Sequence, residues 1–185
     1  MNRYNDVFCE EIVVRKKQCI FNVLYYTLNL FMYVFIMLAI IGLQGILQGL
    51  GNTETLMTSV IWFLVFASLS VLIFFFKDNF KTDYEYSFTN GILDIAQVKN
   101  NKKRKEIMSI DTKKELELVS PIMTDGFNKY QSMSGIKKVN AWLNRDMKKY
   151  FAIIRKDSQR IMLVFEPSEG FMAVLKKHNP QKVKL

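Results

Sequence analysis

Two uncharged stretches decide how this chain folds: IFNVLYYTLNLFMYVFIMLAIIGL at residues 20–43 and LMTSVIWFLVFASLSVLIFFF at residues 56–76. Each is long enough to cross a hydrocarbon core roughly 30 Å thick, because an α-helix rises about 1.5 Å per residue. Helices that are apolar on every side need either lipid or a very large protein core around them. A chain of 185 residues cannot enclose two such helices. The sequence therefore predicts two transmembrane helices.

The segment between the two stretches, residues 44–55, contains three glycines and an asparagine and is predicted to be a short polar turn. It has no lysine or arginine. Basic residues flank the helix pair at its other ends, namely Arg15, Lys16, Lys17, Lys77 and Lys81. The positive-inside rule then places both termini in the cytoplasm and the turn outside the plasma membrane. The first stretch starts too late and is too long for a cleaved signal peptide.

Two asparagines interrupt the first apolar stretch. Asn22 and Asn29 are seven residues apart and therefore share one face of the helix. Amides facing lipid would be costly, so we expect them to pack toward the second helix or toward another copy of the protein. Small residues of the second helix could receive them closely: Ser59, Ala67, Ser68 and Ser70. A transport pathway is the alternative, but neither helix contains an ionisable group, which would be the stronger sign of one.

The chain after residue 76 alternates apolar and polar side chains with a period of two, which is typical of β-strands. Asn90-Gly91 predicts a hairpin between strands at 84–89 and 92–98. The basic run KNNKKRK at 99–105 predicts a second turn. Further strands are predicted at 106–111, 115–119, 137–141, 150–155 and 160–165.

Two other segments break the strand pattern. Residues 122–134 have turn chemistry and few apolar side chains, so we predict a long loop there, a candidate for ordering on a partner. Residues 167–180 begin with Pro-Ser-Glu and end at Asn-Pro, with apolar side chains at helical spacing between them, which predicts a C-terminal amphipathic helix.

The predicted fold class is an α+β membrane protein. A two-helix transmembrane hairpin precedes an antiparallel β-sandwich or partly open barrel of about seven strands, capped by the C-terminal helix. The predicted organisation is a cytoplasmic N-terminal segment (1–19), the helical hairpin (20–76) and a cytoplasmic domain (77–185).

This order of elements resembles the pleckstrin-homology-like (PH-like) domain. More narrowly, the chain resembles an uncharacterised family of small Gram-positive bacterial membrane proteins in which two transmembrane helices precede such a domain. The segments that carry the resemblance are YEYSFTNGILDI at 84–95, KRKEIMSID at 103–111 and FEPSEGFMAVLKKHNPQKV at 165–183. The resemblance implies a fold and a topology but no activity, because PH-like folds include lipid binders, peptide binders and scaffolds.

The sequence carries no pattern typical of a catalytic, cofactor or metal site. The single histidine, His178, falls near the end of the predicted C-terminal helix, where a cation suits the helix dipole. Cys9 and Cys19 match no metal-binding spacing, and a cytoplasmic location would keep both thiols reduced. We therefore expect a protein that is not an enzyme and that has no cofactor and no small-molecule substrate.

Positive charge is concentrated in the predicted domain. Residues 77–185 contain 22 lysines and arginines against 13 aspartates and glutamates, which accounts for the whole net charge of +9. The densest run is Lys102, Lys103, Arg104 and Lys105, a candidate binding site for anionic membrane lipid or for a partner. The same run could be a solvated hairpin tip. No nucleic-acid motif accompanies it, so nucleic acid is not the expected partner.

Two functions fit these features. In the first, the chain is a non-catalytic binding or scaffold module that presents a basic domain to a cytoplasmic protein partner or to the anionic leaflet. In the second, it is a self-assembling structural or accessory subunit of a transporter or envelope complex, a homo-oligomer held together through Asn22 and Asn29.

Overall fold

A computed structural model describes residues 7–185, and residues 1–6 of the predicted N-terminal segment lie outside this range. The described chain divides into two units. One consists of residues 17–82 and is helical, and the other combines residues 7–16 with Asp83–Leu185. The second unit is therefore assembled from chain on both sides of the first.

The helical unit consists of two long helices, α1 (Gln18–Gln48) and α2 (Thr53–Phe76). Both are long and apolar enough to cross a membrane. A 3-10 turn (Gly49–Gly51) connects them, and another (Lys77–Phe80) follows α2. The prediction of two helices is confirmed.

The predicted polar turn at 44–55 is wrong in its extent, because α1 continues to Gln48 and α2 begins at Thr53. Gly45 belongs to the helix, where it allows close packing: a Cβ on Gly45 would lie 2.5 Å from the Ser59 Oγ. A Cβ on Gly42 would lie 2.9 Å from the backbone nitrogen of Phe63. These glycines keep the two helices close together, as small residues do in membrane helix pairs.

Outside this seam, the helices expose their apolar side chains. Only Ser70 of α2 is buried, and Phe75 is 69% exposed. Helices that are apolar on all sides and exposed to this degree are the form expected of membrane spans.

The second unit contains eight strands within the described residues, arranged in two four-stranded sheets. The strands are β1 (Phe8–Val13), β2 (Thr82–Thr89), β3 (Ile92–Lys99), β4 (Lys103–Asp111), β5 (Leu116–Pro121), β6 (Lys137–Ala141), β7 (Tyr150–Lys156) and β8 (Gln159–Phe165). The first sheet has the order β1-β2-β3-β4 and the second β5-β7-β8-β6.

Strand β1 was not predicted from the sequence. It pairs antiparallel with β2, from Phe8 opposite Thr89 to Val13 opposite Tyr84. The helical unit is therefore inserted between two neighbouring strands of one sheet, and does not simply precede a separate domain.

The second sheet is mixed, because β6 runs parallel to β8 while the other pairs are antiparallel. The predicted strands at 137–141, 150–155 and 160–165 are confirmed to within one residue at each end. The chain end covers part of the β5 edge: Val119 donates to the Lys182 carbonyl at 2.8 Å, and Lys184 donates to the Val119 carbonyl at 2.8 Å.

Both sheets contribute to one apolar core, together with the C-terminal helix α4 (Glu169–His178). The predicted helix is confirmed, and its N-terminus is capped as the sequence suggests, since the Ser168 hydroxyl accepts from the backbone N–H of Phe171 at 3.2 Å. Phe171, Met172 and Leu175 form its buried face. The α+β class is therefore confirmed.

The predicted loop at 122–134 is wrong, because it contains the helix α3 (Asp125–Ser132). Phe127 and Tyr130 of this helix pack on Phe151, with ring centroids 5.6 and 6.1 Å apart. They cover the face of the second sheet that points away from the main core. Phe127 and Tyr130 are three positions apart, which places them on one helix face.

Candidate membrane-proximal surface

The candidate site is the end of the second unit at which the chain leaves for α1 and returns from α2. Antiparallel pairing places the last residue of β1, the first residues of β2 and the β3–β4 turn at this same end. The side-chain amide of Gln97 donates to the Tyr84 hydroxyl at 3.3 Å, and Lys99 lies opposite Lys103. We call residues 14–16, 99–103 and 142–149 the root surface.

The predicted basic residues lie at this end, although their local structure differs from the prediction. Lys102 is in the turn, but Lys103, Arg104 and Lys105 already belong to β4. The turn is shorter because two successive asparagines at 100 and 101 adopt positive φ values of 53° and 52°. Asparagine tolerates this conformation better than most residues do. All four basic side chains are exposed.

The four basic residues are not equivalent. The Arg104 Nε donates to the Glu85 carboxylate at 2.8 Å. This hydrogen bond raises the pKa of the Arg104 guanidinium above its ordinary value. Arg104 therefore forms an ion pair with Glu85 on the outer face of the first sheet.

Asn144 fastens the start of the α1 connection to the second sheet. Its Oδ1 accepts from the backbone N–H of Lys16 at 2.8 Å, and its Nδ2 donates to the Val14 carbonyl at 3.0 Å. The same Nδ2 donates to Glu166 at 2.8 Å, and the Asn144 backbone N–H donates to the other Glu166 oxygen at 2.9 Å. Glu166 is buried, so its carboxylate depends on these partners.

Two further contacts hold the same end together. The Tyr86 hydroxyl donates to the Ala141 carbonyl and accepts from the backbone N–H of Glu166. Burial raises the pKa of the Tyr86 phenol far above its ordinary value, so this group stays protonated. The Glu11 carboxylate of β1 accepts from the Ser168 backbone N–H at 2.9 and 3.0 Å. β1 is thus tied to the beginning of α4 as well as to β2.

The loop of residues 142–149 is closed by a buried lysine. The Lys149 ammonium donates to the Arg145 carbonyl at 2.6 Å and to the Met147 carbonyl at 3.3 Å, and it lies 4.7 Å from the centre of the Trp142 ring. Arg145, Met147 and Lys148 remain exposed at the top of the loop. This internal cation fixes the loop without a partner protein.

Asp83 adds an opposing charge at the start of β2. Burial raises the pKa of the Asp83 carboxyl, the positive charge of Arg15 works against that rise, and the negative charge of Glu85 adds to it. An ionised Asp83 is therefore destabilised by its position in the fold, and the net effect of its neighbours does not fully compensate for the lost solvation.

The two asparagines predicted to pack the helices lie in α1, both half-buried. The Asn29 Nδ2 donates to the Tyr25 carbonyl of its own helix at 2.9 Å, and its Oδ1 accepts from the Lys77 ammonium at 2.7 Å. Asn29 therefore links α1 to the residue that directly follows α2. Ser68 and Ser70, which were predicted to receive the asparagines, donate to carbonyls of their own helix.

No group of three or more His, Cys, Asp or Glu side chains that could hold a metal ion occurs in residues 7–185. His178 lies at the end of α4 with its ring edge-on to Phe88, 5.2 Å between centroids. The candidate site is therefore the positively charged root surface, which the hydrogen bonds of Asn144 hold together.

A family model for a bacterial PH-like domain (DUF6106) matches residues 5–185. No curated protein and no solved structure is significantly similar to the chain. The match covers the helical unit as well as both sheets, which agrees with the insertion of that unit inside the fold. The chain therefore belongs to the family of bacterial PH-like domains, DUF6106.

Proposed function

We propose that this protein is a non-catalytic integral membrane module that holds a PH-like domain against the anionic cytoplasmic leaflet at two points of attachment. The observation that carries this proposal is the insertion of two membrane-length helices between β1 and β2. We further propose that the two sheets close into the sandwich typical of PH-like domains, which their common core supports.

The insertion supports a topology with both membrane boundaries on one side. Val13 and Tyr84 are paired neighbours in the sheet, and both belong to one folded unit. The chain leaves this unit near Val13 and returns near Tyr84, so it must cross the membrane an even number of times between them. Two helices satisfy that requirement, and the basic flanking residues favour the cytoplasm for the sheet side.

Charge supports an orientation toward lipid. The β3–β4 turn with Lys102 and Lys103 lies at the end of the sheet where the helices are attached. Basic residues near an anionic leaflet contribute roughly 1 kcal/mol each, so the lysines of this turn are enough to bias the orientation of a domain that is already anchored.

The other candidate functions have less support. The segment predicted as a partner-ordered loop is α3, whose aromatic side chains already pack on the protein's own second sheet. The tail at Lys182 and Lys184 covers part of the β5 edge that an added peptide strand would use. Self-assembly is not needed to satisfy the Asn29 amide, because both of its hydrogen-bond partners lie within a single copy of the helix pair.

Sided labelling tests the topology. In a Cys9→Ser, Cys19→Ser background, Gly51→Cys in the helix connection and Ser158→Cys in the β7–β8 turn are labelled with a membrane-impermeant maleimide. Sealed vesicles of known orientation should expose position 51 on the outside and position 158 on the cytoplasmic side. Labelling of both positions from the same side would refute the proposed insertion across the membrane.

Hydrogen exchange tests the lipid contact. In nanodiscs, the amides of residues 99–105 should exchange more slowly with phosphatidylglycerol present than in phosphatidylcholine alone, and 1 M salt should remove the difference because the Debye length is then about 3 Å. Changing Lys102, Lys103 and Lys105 to glutamine should abolish the effect. Glutamine at Lys113, Lys114 and Lys129, with the same loss of charge, should not. Equal exchange in both lipids would overturn the proposed orientation.

A further inference from the structure

We infer that Met123 and Met147 insert into the headgroup region of the anionic leaflet while Arg145 and Lys148 beside them bind lipid phosphates. This inference rests on the proposed function and extends it, since it assigns the second sheet its own membrane contact. No membrane contact at Met123 or Met147 was predicted from the sequence.

Both methionines are exposed to solvent in the folded unit. Met123 is 97% exposed and Met147 is 44% exposed. They line a groove of about 430 Å³ whose walls also include Ile122, Arg145 and Lys148. A pair of unbranched apolar side chains among cations is the composition of surfaces that bind at a membrane interface, where apolar groups enter the headgroup region and cations meet phosphates.

The loops that carry the two methionines are joined to each other. The backbone N–H of Ile122 donates to the Lys149 carbonyl at 3.1 Å. Lys149 in turn holds the backbone carbonyls of Arg145 and Met147 through its ammonium group. The methionine side chains therefore project from a preformed support, and their insertion would require little ordering of the backbone.

Chain connectivity places this support near the membrane. Asn144 is hydrogen-bonded to the Lys16 backbone at 2.8 Å, and α1 begins at Gln18. The apolar stretch starts at residue 20, and four residues span at most roughly 14 Å even when fully extended. The headgroup region is about 5–8 Å thick on each side of the hydrocarbon core. Arg145 and Met147 follow Asn144 directly, so they lie within reach of that region.

Charge selects anionic lipid as the occupant of the groove. Arg145, Lys148 and Lys149 border it, and the one carboxylate in its wall, Asp146, lies 3.9 Å from the Lys16 ammonium. An anionic leaflet complements this positively charged surface. The surface is kept near the leaflet by residues 14–16, which connect it to α1. A neutral or basic partner would leave the exposed cations of the loop without counter-charges.

The test uses the full-length protein in nanodiscs, with both native cysteines changed to serine. Met123→Cys and Met147→Cys are labelled singly with an environment-sensitive fluorophore. Lys102→Cys reports the orientation proposed above, and Lys113→Cys, in the β4–β5 turn at the other end of the sheet, is the matched control. Emission and its quenching by lipids brominated on their acyl chains near the headgroup are measured with and without phosphatidylglycerol.

With phosphatidylglycerol, labels at 123 and 147 should emit at shorter wavelength and be quenched by the brominated lipid, whereas the label at 113 should show neither change. A Lys102 label close to lipid together with water-exposed labels at 123 and 147 would overturn this inference and leave the proposed function standing. Water-exposed labels at all three positions would overturn both. Blue-shifted but unquenched labels at 123 and 147 would mean that protein covers the groove, and would also overturn the inference.

Discussion

Replacing Asn144 with alanine should separate the start of the α1 connection from the second sheet. This side chain makes three hydrogen bonds that alanine cannot make: to Lys16, to Val14 and to Glu166. The change is small in volume, and Asn144 is only half-buried, so packing contributes little to the expected effect.

The magnitude follows from the kinds of bond that are lost. The contacts with Val14 and Lys16 are exposed to solvent and should contribute about 0.5 kcal/mol each, the low end for neutral hydrogen bonds. The bond to the buried Glu166 carboxylate is charge-assisted and should contribute about 2 kcal/mol. The free energy of unfolding of the PH-like unit should therefore fall by about 3 kcal/mol.

Two measurements follow this variant. Chemical unfolding in nanodiscs is monitored by Trp142, which lies in the affected loop, after Trp62→Phe removes the tryptophan of the helices. Hydrogen exchange at the Lys16 amide, which loses its acceptor, reports the local opening directly. Asn144→Asp is a near-isosteric second variant: it keeps the acceptor for Lys16 but places a carboxylate against Glu166, and it should destabilise the protein at least as much at neutral pH.

Asn128→Ala on the exposed side of α3 is the matched control and should change stability by less than about 0.5 kcal/mol. If Asn144→Ala costs no more than this control and leaves exchange at Lys16 unchanged, the assigned role of Asn144 is refuted.

The remaining predictions concern the helix seam, α3 and Asp83. Gly45→Leu should destabilise the helix pair by about 1–3 kcal/mol in detergent titrations, because the first added carbon already lies 2.5 Å from the Ser59 Oγ. Gly51→Ala is its control, because open space surrounds the carbon added there. Equal effects of the two substitutions would count against close packing at Gly45. Phe127→Ala should lower the free energy of unfolding by about 2 kcal/mol, which is less than the cost of truncating a fully buried phenylalanine. Lys129→Ala, on the exposed side of α3, is the control and should not lower it. An unchanged free energy of unfolding for Phe127→Ala would show that α3 does not stabilise the sheet. Asp83→Asn should raise stability at pH 7, because the raised pKa of Asp83 means that its ionised form is penalised in the folded state. That penalty is absent below the unfolded pKa of about 3.9 and develops as the pH rises through the folded value, so the gain over wild type should disappear near pH 3. Asp157→Asn is the exposed control, and a gain that is independent of pH would contradict the assignment.

The helical part of this fold could be predicted because its signal is local. Length and apolar composition alone identify α1 and α2, and the Ser168 cap and the Asn-Pro end bracket α4. The limits of the connection between α1 and α2 could not be predicted, because glycine can either end a helix or let two helices approach closely. At Gly45 the close contact with Ser59 shows that the glycine lets the two helices approach and does not end α1.

β1 was missed because its partner is distant in the sequence. In the stretch FCEEIV, Cys9, Glu11 and Val13 share one face, but apolar residues do not alternate with polar ones, and the stretch is short and rich in acidic residues. Its pairing with β2 is possible only because the helical unit between them returns the chain to the same place.

A signal for α3 was present in another element. Five successive residues of β7, YFAII from Tyr150 to Ile154, are apolar in the sequence, and all five are buried in the structure. A strand covered on only one face would alternate, so this run predicts a second layer over the sheet. The basic turn of the root surface was predicted from its charge, but the part around Asn144 had no comparable signal, since nothing local to Asn144 indicates that it bonds to residues near α1.

The insertion of the two long apolar helices into the PH-like fold is tested most directly by a disulfide between β1 and β2. Glu10 and Ser87 are paired across these strands, so cysteines at the two positions have the short separation that a disulfide requires. In native membranes, with Cys9 and Cys19 changed to serine, mild oxidation should cross-link Glu10→Cys to Ser87→Cys rapidly, and Glu10→Cys paired with Asp94→Cys on β3 should react far more slowly. Absence of the first cross-link, or equal rates for the two pairs, would contradict the insertion. Either result would mean that residues 8–13 do not pair with β2 and form a separate N-terminal segment.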